Sequence, residues 1–324
     1  MLFELVAVLH VVATTLVLRA NGLRLGWDAV VYTCPELMKG TLLGMGYGLV
    51  IYLGWQLAHR RPWRYVLRQV MKPAWLLMTL RIWLSIVIGT FAYMWLKVSI
   101  PLINERLWDG AIWELDAMLH LGVAPAIFLT SLFEGTGLLP LVDFWYHIWV
   151  WTSMLGLMFF CCFRQPGFRR RLVLAHVLMW VAAVWCYLAV PTLGPVYVDQ
   201  SGWASVREEI PRASASQYAL WTNYEKVLEG RTGPLRQLNP TRGIAAMPSL
   251  HVGAYWMLML WARQRARKLF VWFALGTVVT FIGSLVTGWH YAVDGYVGIL
   301  VAQLSYHAAM YVSPRLKAVS RRMT

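Results

Sequence analysis

The stretch AWLLMTLRIWLSIVIGTFAYMWL, residues Ala74–Leu96, decides the fold. It is 23 residues long and carries a single charge, Arg81. A helix of about 20 predominantly apolar residues crosses the hydrocarbon core of a bilayer. Of all 324 residues, 59% are hydrophobic and 14% are charged, whereas soluble proteins have roughly 45–50% and about 25%. The sequence therefore predicts an all-α membrane protein that crosses the bilayer several times.

Eight segments are apolar enough to cross the bilayer. The predicted spans are Leu2–Leu18, Met38–Ala58, Ala74–Leu96, Leu139–Phe163, Leu172–Val190, Ile244–Trp261, Leu269–Thr287 and Tyr291–Val312. The first is short and has the alternative of being a signal peptide, but it lacks a basic start and a small-residue cleavage site. Within the third span, Arg81 is predicted to pair with Glu4 of the first. Ala111–Phe133 contains ionisable residues and is broken by glycine and proline, so we predict an interfacial or re-entrant helix there.

The basic residues predict how the chain is oriented. Four segments hold 17 of the 29 Lys and Arg and contain no Asp or Glu; they are 59–72, 164–171, 263–268 and 314–324. With eight spans, all four lie on one side, which the positive-inside rule makes cytoplasmic. Both termini are then cytoplasmic. Anionic headgroups account for the net charge of +14, and we predict no nucleic-acid partner.

Two polar stretches lie at the opposite, extracytoplasmic ends of the spans: NPTRGIAAMPSLHVG (Asn239–Gly253) and GSLVTGWHYAVDGYVG (Gly283–Gly298). In the second, His290 and Asp294 share a helix face, so the carboxylate can fix the ring tautomer and leave the other nitrogen as a nucleophile or base. His251 enters from the same side of the membrane on another helix.

Pro248 begins that helix, and the unpaired backbone N–H groups that follow it suit an anion. Two histidines, a carboxylate and N–H donors together predict phosphoryl transfer through a phosphohistidine. A purely structural hydrogen bond between His290 and Asp294, or a metal site built from both histidines and Asp294, are the alternatives. The remaining histidines without a partner at a useful spacing, interpreted as structural or interfacial, are His10, His120, His147, His176 and His307.

These stretches resemble the type 2 phosphatidic acid phosphatase superfamily, whose second motif is P-S-G-H and third is S-R-x5-H-x3-D. The chain has Pro248-Ser249-Leu250-His251, and Gly283-Ser284 followed by His290 and Asp294 at the same spacing. Leu in place of Gly and Ser in place of Arg are similar to the inositol phosphorylceramide synthase branch, whose members transfer a phospho-headgroup to a lipid hydroxyl. The resemblance implies a six-helix core at 74–312, with accessory spans at 1–73 and a basic cytoplasmic tail at 313–324.

The resemblance also implies the role of each site residue. His290 would be the nucleophile, Asp294 its orienting partner, and His251 the acid toward the leaving group. Phosphate would be bound by Ser249, Leu250 and the adjacent backbone N–H groups, with Ser284 at the position of the third-motif Arg.

The positive charge for the phosphate must come from elsewhere, because the family's first motif, K-x6-R-P, is missing. In its place stands PTLGPVY (Pro191–Tyr197), similar to a Pro-rich segment of the synthase branch. We assign the charge to Arg242, in the basic extracytoplasmic loop 191–243. Further candidate contacts to phosphate or headgroup are Arg212, Lys226 and Tyr197. The alternative is a solvated loop whose glutamates balance its cations.

The predicted function is an integral membrane enzyme of the plasma or inner membrane that acts at the extracytoplasmic face. Its predicted partners are the bilayer and a phospholipid or polyprenyl phosphate substrate, and no cofactor or metal is expected. Attack by a lipid or polyol hydroxyl would make it a phosphotransferase, and attack by water a phosphatase. The competing class is a non-catalytic transporter or scaffold.

Overall fold

The computed structural model describes residues 2–23, 27–163, 165–230 and 239–322, which are predominantly helical and contain no strand. The helices are α1 (Leu2–Ala20), α2 (Trp27–Ala58), α3 (Trp63–Val70), α4 (Pro73–Ile103), α5 (Asp109–Leu119), α6 (Pro125–Phe133), α7 (Leu139–Cys161), α8 (Pro166–Ala189), α9 (Pro195–Val198), α10 (Pro211–Glu229), α11 (Leu250–Arg265), α12 (Arg267–Val286) and α13 (Ala292–Arg322). The predicted all-α fold is confirmed.

Several helices have the length and apolarity of membrane spans. Among the described residues these are α1, the 33–58 part of α2, α4, α8 and α12. Helix α7 is a sixth if its two halves, which meet at an angle of 42°, form one span. The chain is thus an integral membrane protein, while the predicted count of eight spans is not confirmed.

Two predicted spans lack the length or the apolarity of a membrane span, and both carry histidine motifs. Ile244–Trp261 is helical only from Leu250, and α11 has 16 residues, about 24 Å at a rise of 1.5 Å per residue. Its predicted first turns are instead a loop, because the N–H groups of Ala246 and Met247 donate to Thr192. Helix α13 is long enough to cross a bilayer, but its described residues are too polar for a membrane span.

The predicted pair of Arg81 and Glu4 is confirmed. Nη2 of Arg81 donates to Oε2 of Glu4 over 2.9 Å, and Nε donates to Oε1 over 2.5 Å. The two side chains connect α4 to the first turn of α1 and are 39% and 24% exposed. This bidentate pair therefore fixes the first span against the rest of the bundle.

The segment Ala111–Phe133 forms two short helices rather than a span. Helices α5 and α6 are separated by Leu121 and Gly122, whose φ angles are 60° and 85°. Leu121 is 97% exposed. Helix α6 packs on the end of α12, where the Thr130 hydroxyl donates to the Val286 carbonyl over 3.1 Å. The break falls where the sequence places Gly122 and Pro125.

Candidate active site

His251, His290 and Asp294 form one chain of contacts. Nδ1 of His290 donates to Oδ2 of Asp294 over 3.2 Å, and Nε2 of His290 lies 2.8 Å from Nδ1 of His251. Asp294 is fully buried and His290 is 3% exposed. Because the carboxylate binds Nδ1, the neutral His290 ring presents the lone pair of Nε2 toward His251.

The turn before α13 holds His290 in place. The N–H groups of Trp289 and His290 both donate to the Ser284 carbonyl, and Gly288 adopts a φ of 74°. Asp294 lies in the first turn of α13 and also accepts the Tyr291 N–H over 2.9 Å. The local backbone conformation therefore directs the side chains of His290 and Asp294 toward each other.

Helix α11 brings His251 to the same point because it packs tightly on α13. The Ser249 N–H donates to the Asp294 carbonyl over 2.8 Å. A Cβ added at Gly298 would collide with the Ser249 carbonyl, and one added at Gly253 would lie 2.8 Å from the Gly298 carbonyl. Small residues at both positions allow the backbones to approach this closely.

Helix α7 supplies two aromatic neighbours of His251. The Tyr146 hydroxyl forms a hydrogen bond with Nδ1 of His251. Trp149 packs edge-to-face on the same ring, with 4.0 Å between ring centroids. These contacts hold the His251 ring against α7.

The histidines open into a cavity of about 290 Å³. Lys97, near the end of α4, lines this cavity together with Tyr146, Trp149 and Trp289. Nζ of Lys97 lies 5.3 Å from the centre of the Tyr187 ring. Asp143, His147, Ser216 and Thr241 also line it. The site therefore contains a half-buried cation, Lys97, that the sequence motifs do not identify.

The segment Pro191–Tyr197 ties the two histidine stretches together. The Thr192 carbonyl and hydroxyl accept the N–H groups of Ala246 and Met247 over 2.9 and 3.0 Å. The Val196 N–H donates to the Gly288 carbonyl over 3.0 Å. One segment thus binds the chain just before Pro248 and the turn just before His290.

Three buried aspartates accept hydrogen bonds from the backbone around the site. The sequence motifs do not identify them as site residues. Asp109 accepts the N–H groups of Leu193 and Gly194. Asp116 accepts those of Ala292 and Val293, at the start of α13, over 3.1 and 2.9 Å. Asp143 accepts those of Arg212 and Ala213, at the start of α10, over 3.0 and 2.8 Å. A carboxylate at a helix start satisfies otherwise unpaired donors and opposes the helix dipole.

Three residues predicted to bind phosphate through motif positions do not line the cavity. Ser249 is completely buried, and its hydroxyl has no hydrogen-bond partner among the described residues. Leu250 is 5% exposed. The Ser284 hydroxyl donates to the Phe281 carbonyl over 2.7 Å within α12. These three residues support the backbone of the site.

The predicted cations and Tyr197 lie around the cavity rather than in it. Arg242 is exposed, although its neighbours Thr241 and Gly243 are part of the cavity wall. Nη1 of Arg212 lies 3.7 Å from Oδ2 of Asp143. Lys226 is exposed on α10 and is not part of the wall. Two other cations of the same loop, Arg231 and Arg236, lie outside the described residues.

Tyr197 packs beside the site without entering the cavity. Its hydroxyl donates to the Gln217 carbonyl over 3.3 Å, and its ring stacks on Trp221 at a centroid distance of 5.5 Å. Burial raises the pKa of the Tyr197 phenol, so the hydroxyl keeps the proton that it donates. Its contacts fix α9 against α10.

The arrangement suits transfer of a group to a histidine nitrogen. His290 lies between Asp294 and His251, with one ring nitrogen bound to each, so the three side chains do not converge on a single point as metal ligands do. Within the described residues, no three His, Cys, Asp or Glu side chains are grouped to hold a metal ion. Two imidazoles and the Lys97 amine line one cavity, and the buried Asp294 carboxylate lies behind the His290 ring. Such an arrangement is compatible with nucleophilic catalysis by an imidazole.

The sequence profile described as the PAP2 superfamily matches residues 110–308, more than half of the chain. The chain therefore belongs to the PAP2 superfamily, and this membership makes it an enzyme of the phosphatase type. Comparison with curated proteins gave no match, and neither did comparison with solved structures. Lys97 lies before the matched region, so its place in the site is known from the fold alone.

Proposed function

We propose that this protein is a lipid phosphotransferase that works through a phosphohistidine on His290. The observation that carries the proposal is the alignment of the buried Asp294 and His290 with His251 at a cavity that Lys97 also lines. The substrate is a phospholipid or polyprenyl phosphate, whose anionic phosphate is attracted by Lys97 and whose apolar chains remain in the bilayer.

The reaction has two steps. In the first, Nε2 of His290 attacks phosphorus, the bond to the leaving oxygen breaks, and protonated His251 gives that oxygen a proton. In the second, an acceptor hydroxyl attacks phosphorus, the nitrogen–phosphorus bond breaks, and His251 takes the acceptor's proton. Because Nε2 of His290 contacts His251 in this structure, phosphorus reaches it only when that hydrogen bond opens.

The acceptor distinguishes two enzyme classes. Leu250 and Ser284 replace motif residues of the superfamily in a way that is similar to the inositol phosphorylceramide synthase branch. This similarity favours a lipid or polyol hydroxyl as the acceptor, and hence transfer. Hydrolysis by water is the second candidate, since the same intermediate serves both reactions. A non-catalytic transporter or scaffold is the third, but it would have no use for a nucleophile oriented by a buried carboxylate.

A lipid panel tests the proposed function directly. Purified protein is incubated with phospholipids and polyprenyl phosphates, with and without alcohol acceptors, and free phosphate and new phospholipid are both measured. A new phospholipid that requires the acceptor supports transfer, and phosphate release alone supports hydrolysis. Neither product from any member of the panel would contradict an enzymatic role.

We further propose that the site faces the extracytoplasmic side and that both termini are cytoplasmic. In a Cys34→Ser background, Ala204→Cys should react with an impermeant thiol reagent on intact cells and Arg263→Cys should not. Both positions are exposed, and they lie on opposite sides of the membrane in the orientation given by the acid-free basic segments. Reaction at Arg263→Cys alone would reverse the orientation.

Lys97 and Arg242 are proposed to bind the phosphate at different depths, Lys97 inside the cavity and Arg242 at its edge. A charge-assisted contact contributes about 1.5–3 kcal/mol, so Lys97→Met should reduce kcat/KM roughly 10–150-fold. Arg242→Ala should reduce it less, because water solvates an exposed cation. Lys226→Met removes an exposed Lys outside the cavity wall and is the matched control. A larger loss for Arg242→Ala than for Lys97→Met would reverse this assignment.

A further inference from the structure

A second cavity of about 300 Å³ lies at the other end of the helix bundle. It is an open cavity lined by the end of α2, by α3, by residues between α7 and α8, and by Arg265 at the end of α11. Arg265 follows His251 by fourteen residues on the same helix, which is about 21 Å at 1.5 Å per residue. The second cavity is therefore separate from the histidine site.

The side chains around the second cavity are basic, aromatic and amide. Arg61 and Arg265 line it from different parts of the chain, together with His59, Trp55 and Tyr65. Within the described part of the chain, no carboxylate is among the lining residues. Two arginines that line one cavity without a lining acidic residue are suited to bind an anion.

The origin of these residues in the sequence supports the same conclusion. Three of the four acid-free basic segments contribute to the lining: 59–72 contributes His59 and Arg61, 164–171 contributes Gln165, and 263–268 contributes Arg265. Orientation alone requires basic residues on one side of the membrane, but it does not require them to meet around a cavity. Trp55 packs on His59 with 4.3 Å between ring centroids, and such aromatic side chains are typical of the headgroup level of a bilayer.

We propose that the second cavity binds a phosphate group, presented either by an anionic phospholipid of the adjacent leaflet or by a soluble phosphate. Guanidinium groups bind phosphate oxygens through paired N–H donors. The bound phosphate joins Arg61, which lies before the region matched by the family profile, to Arg265, which lies within it. Occupation of the cavity therefore stabilises the N-terminal helices against the superfamily core.

Paired variants test the second cavity. All proteins carry His290→Gln to prevent turnover, and binding of dihexanoylphosphatidylglycerol, dihexanoylphosphatidylcholine and inorganic phosphate is measured by calorimetry in detergent. Arg61→Gln with Arg265→Gln should weaken phosphatidylglycerol binding by at least about 10-fold, because two charge-assisted contacts are lost. The matched control is Arg60→Gln with Arg263→Gln, which removes two exposed charges from the same end of the bundle without altering the cavity wall; it should change binding less than about 3-fold.

The outcomes separate the sources of phosphate. Binding of inorganic phosphate with the same dependence on Arg61 and Arg265 supports a soluble ligand, and binding of phosphatidylglycerol alone supports a lipid. Equal weakening by both pairs, or no weakening by the cavity pair, would overturn the proposal. So would equally tight binding of zwitterionic phosphatidylcholine. Both pairs leave the remainder of the histidine site unchanged, so any binding there cancels in the comparison.

Discussion

Replacing His290 with Gln is expected to abolish transfer and hydrolysis together, with a loss of more than about 10⁴-fold in kcat. Gln has no nucleophilic nitrogen, so no covalent intermediate can form whichever acceptor is present. The measurement is product formation from the best substrate of the lipid panel, with and without an alcohol acceptor. His307→Gln, the same change farther along α13, is the matched control and should retain nearly full activity.

His251 should behave differently when the leaving group changes. In His251→Ala, a basic alkoxide has no proton donor and turnover should fall sharply, whereas p-nitrophenolate leaves without one. A p-nitrophenyl phosphate substrate should therefore rescue His251→Ala in part and leave His290→Gln inactive. Rescue of the His290 variant instead would exchange the two roles.

Asp294→Asn is expected to have the second largest effect, a loss of about 10³–10⁴-fold, as for Asp-to-Asn changes in Ser-His-Asp triads. The amide keeps the shape of the side chain but not the charge that orients His290 and stabilises its cationic form. Because Asp294 is fully buried and also accepts the Tyr291 N–H, water cannot reach the site to compensate for the lost carboxylate. Comparison of kcat between wild type and variant measures the effect.

Asp199→Asn is the matched control for that experiment. Asp199 accepts the Ser201 N–H over 3.0 Å, and hydrogen bonds from Ser201 lower the pKa of its carboxyl. It lies outside the cavity wall, so its replacement should change kcat less than about 3-fold. Comparable losses in the two variants would mean that Asp294 acts only through the fold.

The proximity of His251, His290 and Asp294 could be predicted from the sequence because their signal is local. His290 and Asp294 are four residues apart, and Pro248 marks the start of the helix that carries His251. Lys97 could not be found in this way: it is a single cation at the end of an apolar segment, and its relation to the histidines depends on how α4 packs against the core. The motif comparison could not find it either, since the first motif is missing.

Other features of the site did leave a signal in the sequence. Asp143 lies inside the predicted span Leu139–Phe163, where an ionisable residue is costly and indicates a function. Tyr146 and Trp149 follow at helical spacing and therefore share its side of α7. The roles of Asp109 and Asp116 were harder to predict, because their partners are backbone N–H groups that no side-chain pattern identifies.

The number of spans was hard to predict for a related reason. The apolar residues of Ile244–Ser249 are typical of the start of a span, yet they form a loop because Thr192 and Asp294 bind its N–H groups. Hydropathy cannot distinguish a residue that faces lipid from one that packs around a buried site. The same ambiguity affects α13, whose polar residues include Asp294.

The most direct test of the central claim is chemical trapping of the covalent intermediate. The protein is mixed with substrate carrying a labelled phosphate, quenched within one turnover at alkaline pH, digested and analysed by mass spectrometry. The phosphohistidine mechanism predicts the label on the peptide that contains His290, and none on that peptide in His290→Gln. Label on His251, or turnover with no labelled histidine at any quench time, would contradict it.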